Sequence, residues 1–150
     1  MTPEQEIYEN ATRIVAECGP ISGLGSEFGY NRASVEWLDG YIERLRADGR
    51  FSQEETKNIS VVFACFLGEC IRATYGGEWR KQNGAWGVFF KDSSGAFPFS
   101  KVHKQFEDGS EGGESILSFF EVLPKILSGD LDRESFWLRL RYRWKRLTGL

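Results

Sequence analysis

The chain has 150 residues, of which 41% are hydrophobic, 15% aromatic and 27% charged, with a net charge of −3. This length suits one domain with a sizeable core, and the composition is that of a globular protein rather than a disordered or fibrous one. No apolar run reaches the roughly 18 residues that a membrane-spanning helix requires, so no membrane insertion is expected.

The first residues, MTPEQEIYEN, are acidic and carry no apolar signal region, which points to a cytoplasmic location. Cys18, Cys65 and Cys70 form no CxxC pair, so reduced, buried thiols are expected rather than disulfides. Charge is unevenly spread. Residues 1–60 hold 6 basic and 11 acidic side chains, whereas residues 132–150 hold 6 basic and 2 acidic ones.

The first helix is announced by Thr2 as N-cap, Pro3 in the first turn and Gln5 as the partner of a capping box. Ile7, Ala11, Ile14, Val15 and Cys18 recur at helical spacing, and Gly19-Pro20 is expected to stop the helix. The next stretch, GPISGLGSEFGYNRA, approaches a dinucleotide fingerprint through Gly23, Gly25 and Gly29. The third glycine is one position late and the stretch comes after a helix rather than a strand, so turns explain it better than a phosphate site.

A second helix is expected over about Ser34 to Asp48, with Val35, Leu38, Ile42 and Leu45 on one stripe and Gly49 as its stop. Trp37 and Tyr41 form an i, i+4 pair on its flank. The third helix is signalled by Ser52 and Glu55 and by the stripe Ile59, Val62, Phe63, Phe66, Leu67, Cys70 and Ile71. Ala64 and Gly68 lie four apart on another face, which allows a second element to approach closely. Tyr75-Gly76-Gly77 ends the helix.

Asn83-Gly84 between alternating segments predicts a two-residue hairpin that sets Lys81 opposite Trp86 and Trp79 opposite Val88. A second turn over Asp92-Ser93-Ser94-Gly95 is expected to set Phe90 opposite Phe97 and Val88 opposite Phe99. Trp79, Trp86, Val88, Phe90, Phe97 and Phe99 would then share one face, and Pro98 would lie in an edge strand. Ser100 is the expected N-cap of a short helix with Val102 and Phe106. A further helix carries Ile116, Phe119, Phe120 and Leu123, with Pro124 kinking or ending it. The C-terminal segment FWLRLRYRWKRL matches both periods, and its arginines, leucines and lysine favour a basic helix over about 132–147. The fold class is therefore α+β: one domain in which a three-stranded antiparallel meander packs against several helices.

Candidate site residues are few. His103, the one histidine, lies in a basic helical turn, and no HxH or HExxH spacing offers a metal site. No cofactor motif is present. Glu69 projects within about 20° of Val62, at the edge of the third helix's apolar stripe. Once covered it needs a partner, which Arg72 or an indole N–H from the sheet would supply. An enzyme built on Glu69 and His103 requires the two in one concave site. Arg139, Arg141, Arg143 and Lys145, interleaved with Tyr142 and Trp144, suit either a nucleic acid or a protein partner. The acidic N-terminal 60 residues weigh against nucleic acid.

Phe66-Leu67-Gly68-Glu69, Tyr75-Gly76-Gly77-x-Trp79 and Phe97-Pro98-Phe99 with Val102, Lys104 and Gly109 carry a resemblance. Over about residues 60–125 the chain resembles a family of small bacterial domains of unknown function with an LGE…GG.W…FP…V.K pattern. The resemblance implies a fold and a bacterial origin, and no catalytic mechanism. These features together favour a non-enzymatic protein-binding or accessory protein, with an immunity-type protein that masks its partner as the sharpest version. Trp37, Tyr41, Arg139, Arg141, Arg143 and Lys145 are its expected partner-binding residues. The alternatives are a small hydrolase-like enzyme using Glu69 and His103, and a nucleic-acid binder through the basic C-terminal segment.

Overall fold

The computed structural model describes residues 1–91 and 93–127. The expected C-terminal helix, with Arg139, Arg141, Arg143 and Lys145, lies outside the described residues.

Helix α1 spans Pro3–Ser22 and opens on the full capping box between Thr2 and Gln5. It runs through Gly19-Pro20 instead of stopping there and ends at Gly23. Proline removes one ladder bond without forbidding the next turn. Here Ser22 Oγ holds that turn, donating to Gly19 O at 2.7 Å and accepting from Leu24 N at 3.0 Å. Ile7, Ala11, Ile14 and Cys18 form the buried stripe of α1.

Helix α2 (Arg32–Asp48) starts at Asn31, whose side chain accepts from Ser34 N, and buries Val35, Leu38, Ile42 and Leu45. Helix α3 (Gln53–Tyr75) is capped by Ser52. Every residue from Phe63 to Ile71 is buried, so this helix passes through the middle of the molecule with α1, α4 and the sheet against it.

Strands β1 (Glu78–Gln82) and β2 (Ala85–Phe89) pair with the expected register, Trp79 opposite Val88 and Lys81 opposite Trp86. Their turn places Asn83 at φ 52° and Gly84 at φ 80°, the two left-handed residues of a type I′ hairpin. Strand β3 is only Gly95–Ala96, and it sets Val88 opposite Ala96 rather than Phe99. The register expected for Phe90, Phe97 and Phe99 is therefore overturned. The cause is Pro98, which stands in the first turn of α4 (Pro98–Asp108) rather than in an edge strand. Proline's fixed φ suits that position, and the residue before it is kept out of the helical region, as Phe97 is at φ −117° and ψ 85°. Ser100 is consequently inside α4 and not its cap.

The face turned to the helices carries Trp79, Val88 and Ala96, while Phe89 and Phe97 meet edge to face at 5.7 Å. Phe99 reaches Trp79 from α4, with ring centroids 5.8 Å apart. Helix α5 (Ile116–Leu127) contains Pro124 and buries Ile116, Phe119, Phe120 and Leu123. Its first amides are capped from other helices. Gln105 Oε1 of α4 accepts from Ile116 N at 2.8 Å, and Asp39 Oδ1 of α2 accepts from Leu117 N at 3.2 Å. The architecture is thus α+β, a small antiparallel meander held among helices. Among the described residues no helix is long and apolar enough to cross a membrane.

Candidate functional site

Glu69 sits at the junction of α1, the loop after it and α3, and its side chain is 8% exposed. Arg72, one turn later, donates Nη1 to both carboxylate oxygens at 3.2 and 2.9 Å, and it also approaches Gly77 O through Nε at 3.4 Å. Burying a carboxylate without a partner is costly, so the 69/72 spacing fixes this pair within α3. The expected indole donor does not take part. The Trp79 ring lies against Gly68, where an added Cβ would fall 2.0 Å from Cζ2, and among the described residues its buried Nε1 has no hydrogen-bond partner. Gly68 thus provides the close approach that its spacing with Ala64 predicts.

Tyr30 borders the same junction. Burial raises its hydroxyl pKa, opposed by a hydrogen bond with Thr12 and reinforced by the negative field of Glu69. The thiols nearby are poor nucleophiles. Burial, with the Glu17 charge second, pushes Cys18 up to about 11, and burial likewise pushes Cys65 up to about 11 and raises Cys70 further. All three cysteines are free and buried.

His103 is on the exposed face of α4, with Nε2 2.9 Å from Glu107 Oε1 one turn away. Glu69 and His103 each engage a neighbour on their own helix, and among the described residues no hydrogen bond joins them. Among the described residues there is also no group of three or more His, Cys, Asp or Glu side chains able to hold a metal ion.

Trp37 and Tyr41 form a different kind of site. Their rings stack at 4.8 Å with an interplanar angle of 20°, Phe28 meets Trp37 edge-on at 5.6 Å, and Phe63 backs Tyr41 at 6.1 Å. Both rings are half-buried, and Arg44 lays its guanidinium over them, 5.5 Å from Tyr41 and 5.7 Å from Trp37. Arg44 is the member that sequence reasoning missed, although residues 37, 41 and 44 share the i, i+4, i+7 spacing of one helix face. Tyr41, the middle member of the ladder, also lines a groove of about 470 Å³ between α1, α2 and α3, together with Ile21, Phe51, Ile59 and Val62 and with Arg13 and Glu17. Ile21, on the wall of this groove, is 60% exposed, a large apolar side chain left in water. An aromatic–arginine cluster beside an apolar channel is equipped to hold an apolar surface and to exclude water around it.

Compared with protein-family models, with curated proteins and with solved structures, the chain gives no match.

Proposed function

We propose that this chain is a non-enzymatic protein-binding protein of a bacterial cytoplasm that masks its partner, as immunity-type accessory proteins do. The observation that carries the reading is the Trp37–Tyr41–Arg44 ladder, whose Tyr41 also lines the groove that Ile21 walls. Tryptophan, tyrosine and arginine are the side chains that dominate binding energy at protein interfaces, because each offers a large rigid surface together with a polar edge. Here the scaffold already holds them in place, with Phe28 and Phe63 behind the rings, so little side-chain freedom is lost on binding. The bacterial setting is supported by the LGE…GG.W…FP…V.K resemblance.

The test is co-expression with the products of the genes that flank this one, with size-exclusion chromatography as the readout. A stoichiometric complex is expected with one of them. Trp37→Ala and Arg44→Glu should each weaken it by about 2 kcal/mol or more while leaving the circular dichroism spectrum unchanged. The reading is overturned if no flanking product forms a complex, or if the complex survives both substitutions.

A further inference from the structure

The groove that Tyr41 borders follows two helices. Helices α1 and α3 pack side by side, with Asn10 Nδ2 3.9 Å from Cys65 Sγ, and the groove lies between their Arg13–Ile21 and Asn58–Phe63 stretches. Its floor is Ile14, Cys18, Leu45 and Phe63, all buried. From Arg13 to Ile21 the α1 edge rises about 12 Å, at 1.5 Å per residue. An amphipathic helix presents its apolar anchors at i, i+4 and i+7 over a similar span, about 10 Å.

Charge along the two helical edges is mostly negative. On α1, Glu9 and Glu17 stand one turn before and one turn after Arg13, so two carboxylates flank one guanidinium. On α3, Glu54 and Glu55 occupy the first turn, one turn ahead of Asn58 and Ile59, with Lys57 beside them. These carboxylates are exposed, and among the described residues none of them is in an ion pair. At the Phe51 end Arg50 pairs with Asp48, and Arg44 is drawn over the Trp37 and Tyr41 rings. The negative field reaches the floor as well: after burial, the Glu17 charge is the second cause that raises the Cys18 thiol.

We propose that this groove takes the apolar stripe of a basic amphipathic helix carried by the partner, whose flanking lysines or arginines face Glu9, Glu17, Glu54 and Glu55. Apolar side chains entering between α1 and α3 supply affinity, and the carboxylate edges select the sign of the flanks. Such a helix would also cover Ile21. The proposal rests on the protein-binding reading and adds to it the chemistry of the partner's surface.

Fluorescence anisotropy of a labelled leucine–lysine helical peptide of about 15 residues, titrated with the full chain, tests it. Saturable one-to-one binding is expected, with a leucine–glutamate peptide of the same apolar pattern weaker by about tenfold or more. Val62→Trp fills the groove without altering charge and should weaken the leucine–lysine peptide by about tenfold or more, and Ile21→Ser by about threefold. Glu17→Lys with Glu55→Lys should weaken it by about tenfold, all with an unchanged circular dichroism spectrum. Absence of saturation, equal binding of the leucine–glutamate peptide, or binding unaltered by both uncharged substitutions would each overturn the proposal. So would a dimer of the chain alone that Val62→Trp turns into a monomer, since a second copy would then own the groove. The two readings fail apart: a flanking-product complex without peptide binding removes the basic helix only, and peptide binding without any such complex removes the masking role only.

Discussion

Helix α3 meets α1 and the sheet chiefly through apolar atoms, with Tyr75 at its end donating its hydroxyl to Phe120 O of α5 at 2.8 Å, whereas α2 meets α4 and α5 through a chain of hydrogen bonds added to its apolar stripe. Against α3 lie the Ile7–Ala11–Ile14–Cys18 stripe of α1 and the flat Trp79 ring, which occupies the space that a side chain at Gly68 would need. Between α2 and α4, Glu43 Oε1 accepts from Gln105 Nε2 at 3.1 Å and from both the amide and the hydroxyl of Ser110. Arg46 donates to Glu43 and to the Phe106 carbonyl. Asp39 and Gln105 then receive the start of α5. Apolar contact brings helices together without fixing their offset, since one methyl serves much as another. A donor has one acceptor at the right distance, so the polar seam sets where α5 lies.

Breaking the tight apolar contact should have the largest effect. Gly68→Val places branched carbon where the Trp79 indole already is, and we expect a loss of about 3 kcal/mol or more in urea denaturation, well beyond any change in helix propensity. Next comes Gln105→Leu, which fits the volume but leaves the Ile116 amide and the Glu43 carboxylate each short of a buried partner. A loss of about 2–3 kcal/mol is expected by the same measurement. Asp39→Ala removes the acceptor of the Leu117 amide and the Ser115 hydroxyl, which lies 2.7 Å away. Loss of such a cap costs about 1–2 kcal/mol, seen as a lowered Tm.

The smallest effect should appear with pH. Burial pushes the Glu43 carboxyl upward, but the hydrogen bonds from Gln105, Ser110 and Arg46 outweigh it and hold its pKa below the usual carboxylate range. The stability this group contributes is therefore present above the ordinary carboxylate pKa and is lost as pH falls through the lowered value. Glu43→Gln should flatten that acid limb by no more than about 1 kcal/mol, and a limb of unchanged slope would remove Glu43 from the seam. If Gln105→Leu and Asp39→Ala proved as mild as surface changes, the contrast between the two modes of packing would fail.

The two modes also differ in how far the sequence exposes them. Ile7, Ala11, Ile14 and Cys18 announce α1 by period alone, and Asn83-Gly84 fixes the first hairpin register, because each signal is local. The Ala64/Gly68 spacing anticipates that something lies close to α3 without saying that it is Trp79. Asp39, Glu43 and Gln105 read as ordinary surface polar residues. Their roles depend on residues 62–78 positions away, and no periodicity encodes such a meeting. Pro98 misleads for a related reason: proline fits an edge strand and a first helical turn equally well, and the residues on its C-terminal side decide between them. For the candidate site, Trp37 and Tyr41 stand out by residue type, but Arg44 acquires meaning only once its guanidinium is seen over both rings.

The uninterrupted burial of α3 from Phe63 to Ile71 also bears on how the molecule breathes. A helix with one wet face can open a turn at a time toward solvent, and its amides then exchange hydrogen for deuterium through small fluctuations. This stretch has no wet face on which to do so. Its amides should exchange only when the whole domain opens, making it an internal gauge of global unfolding.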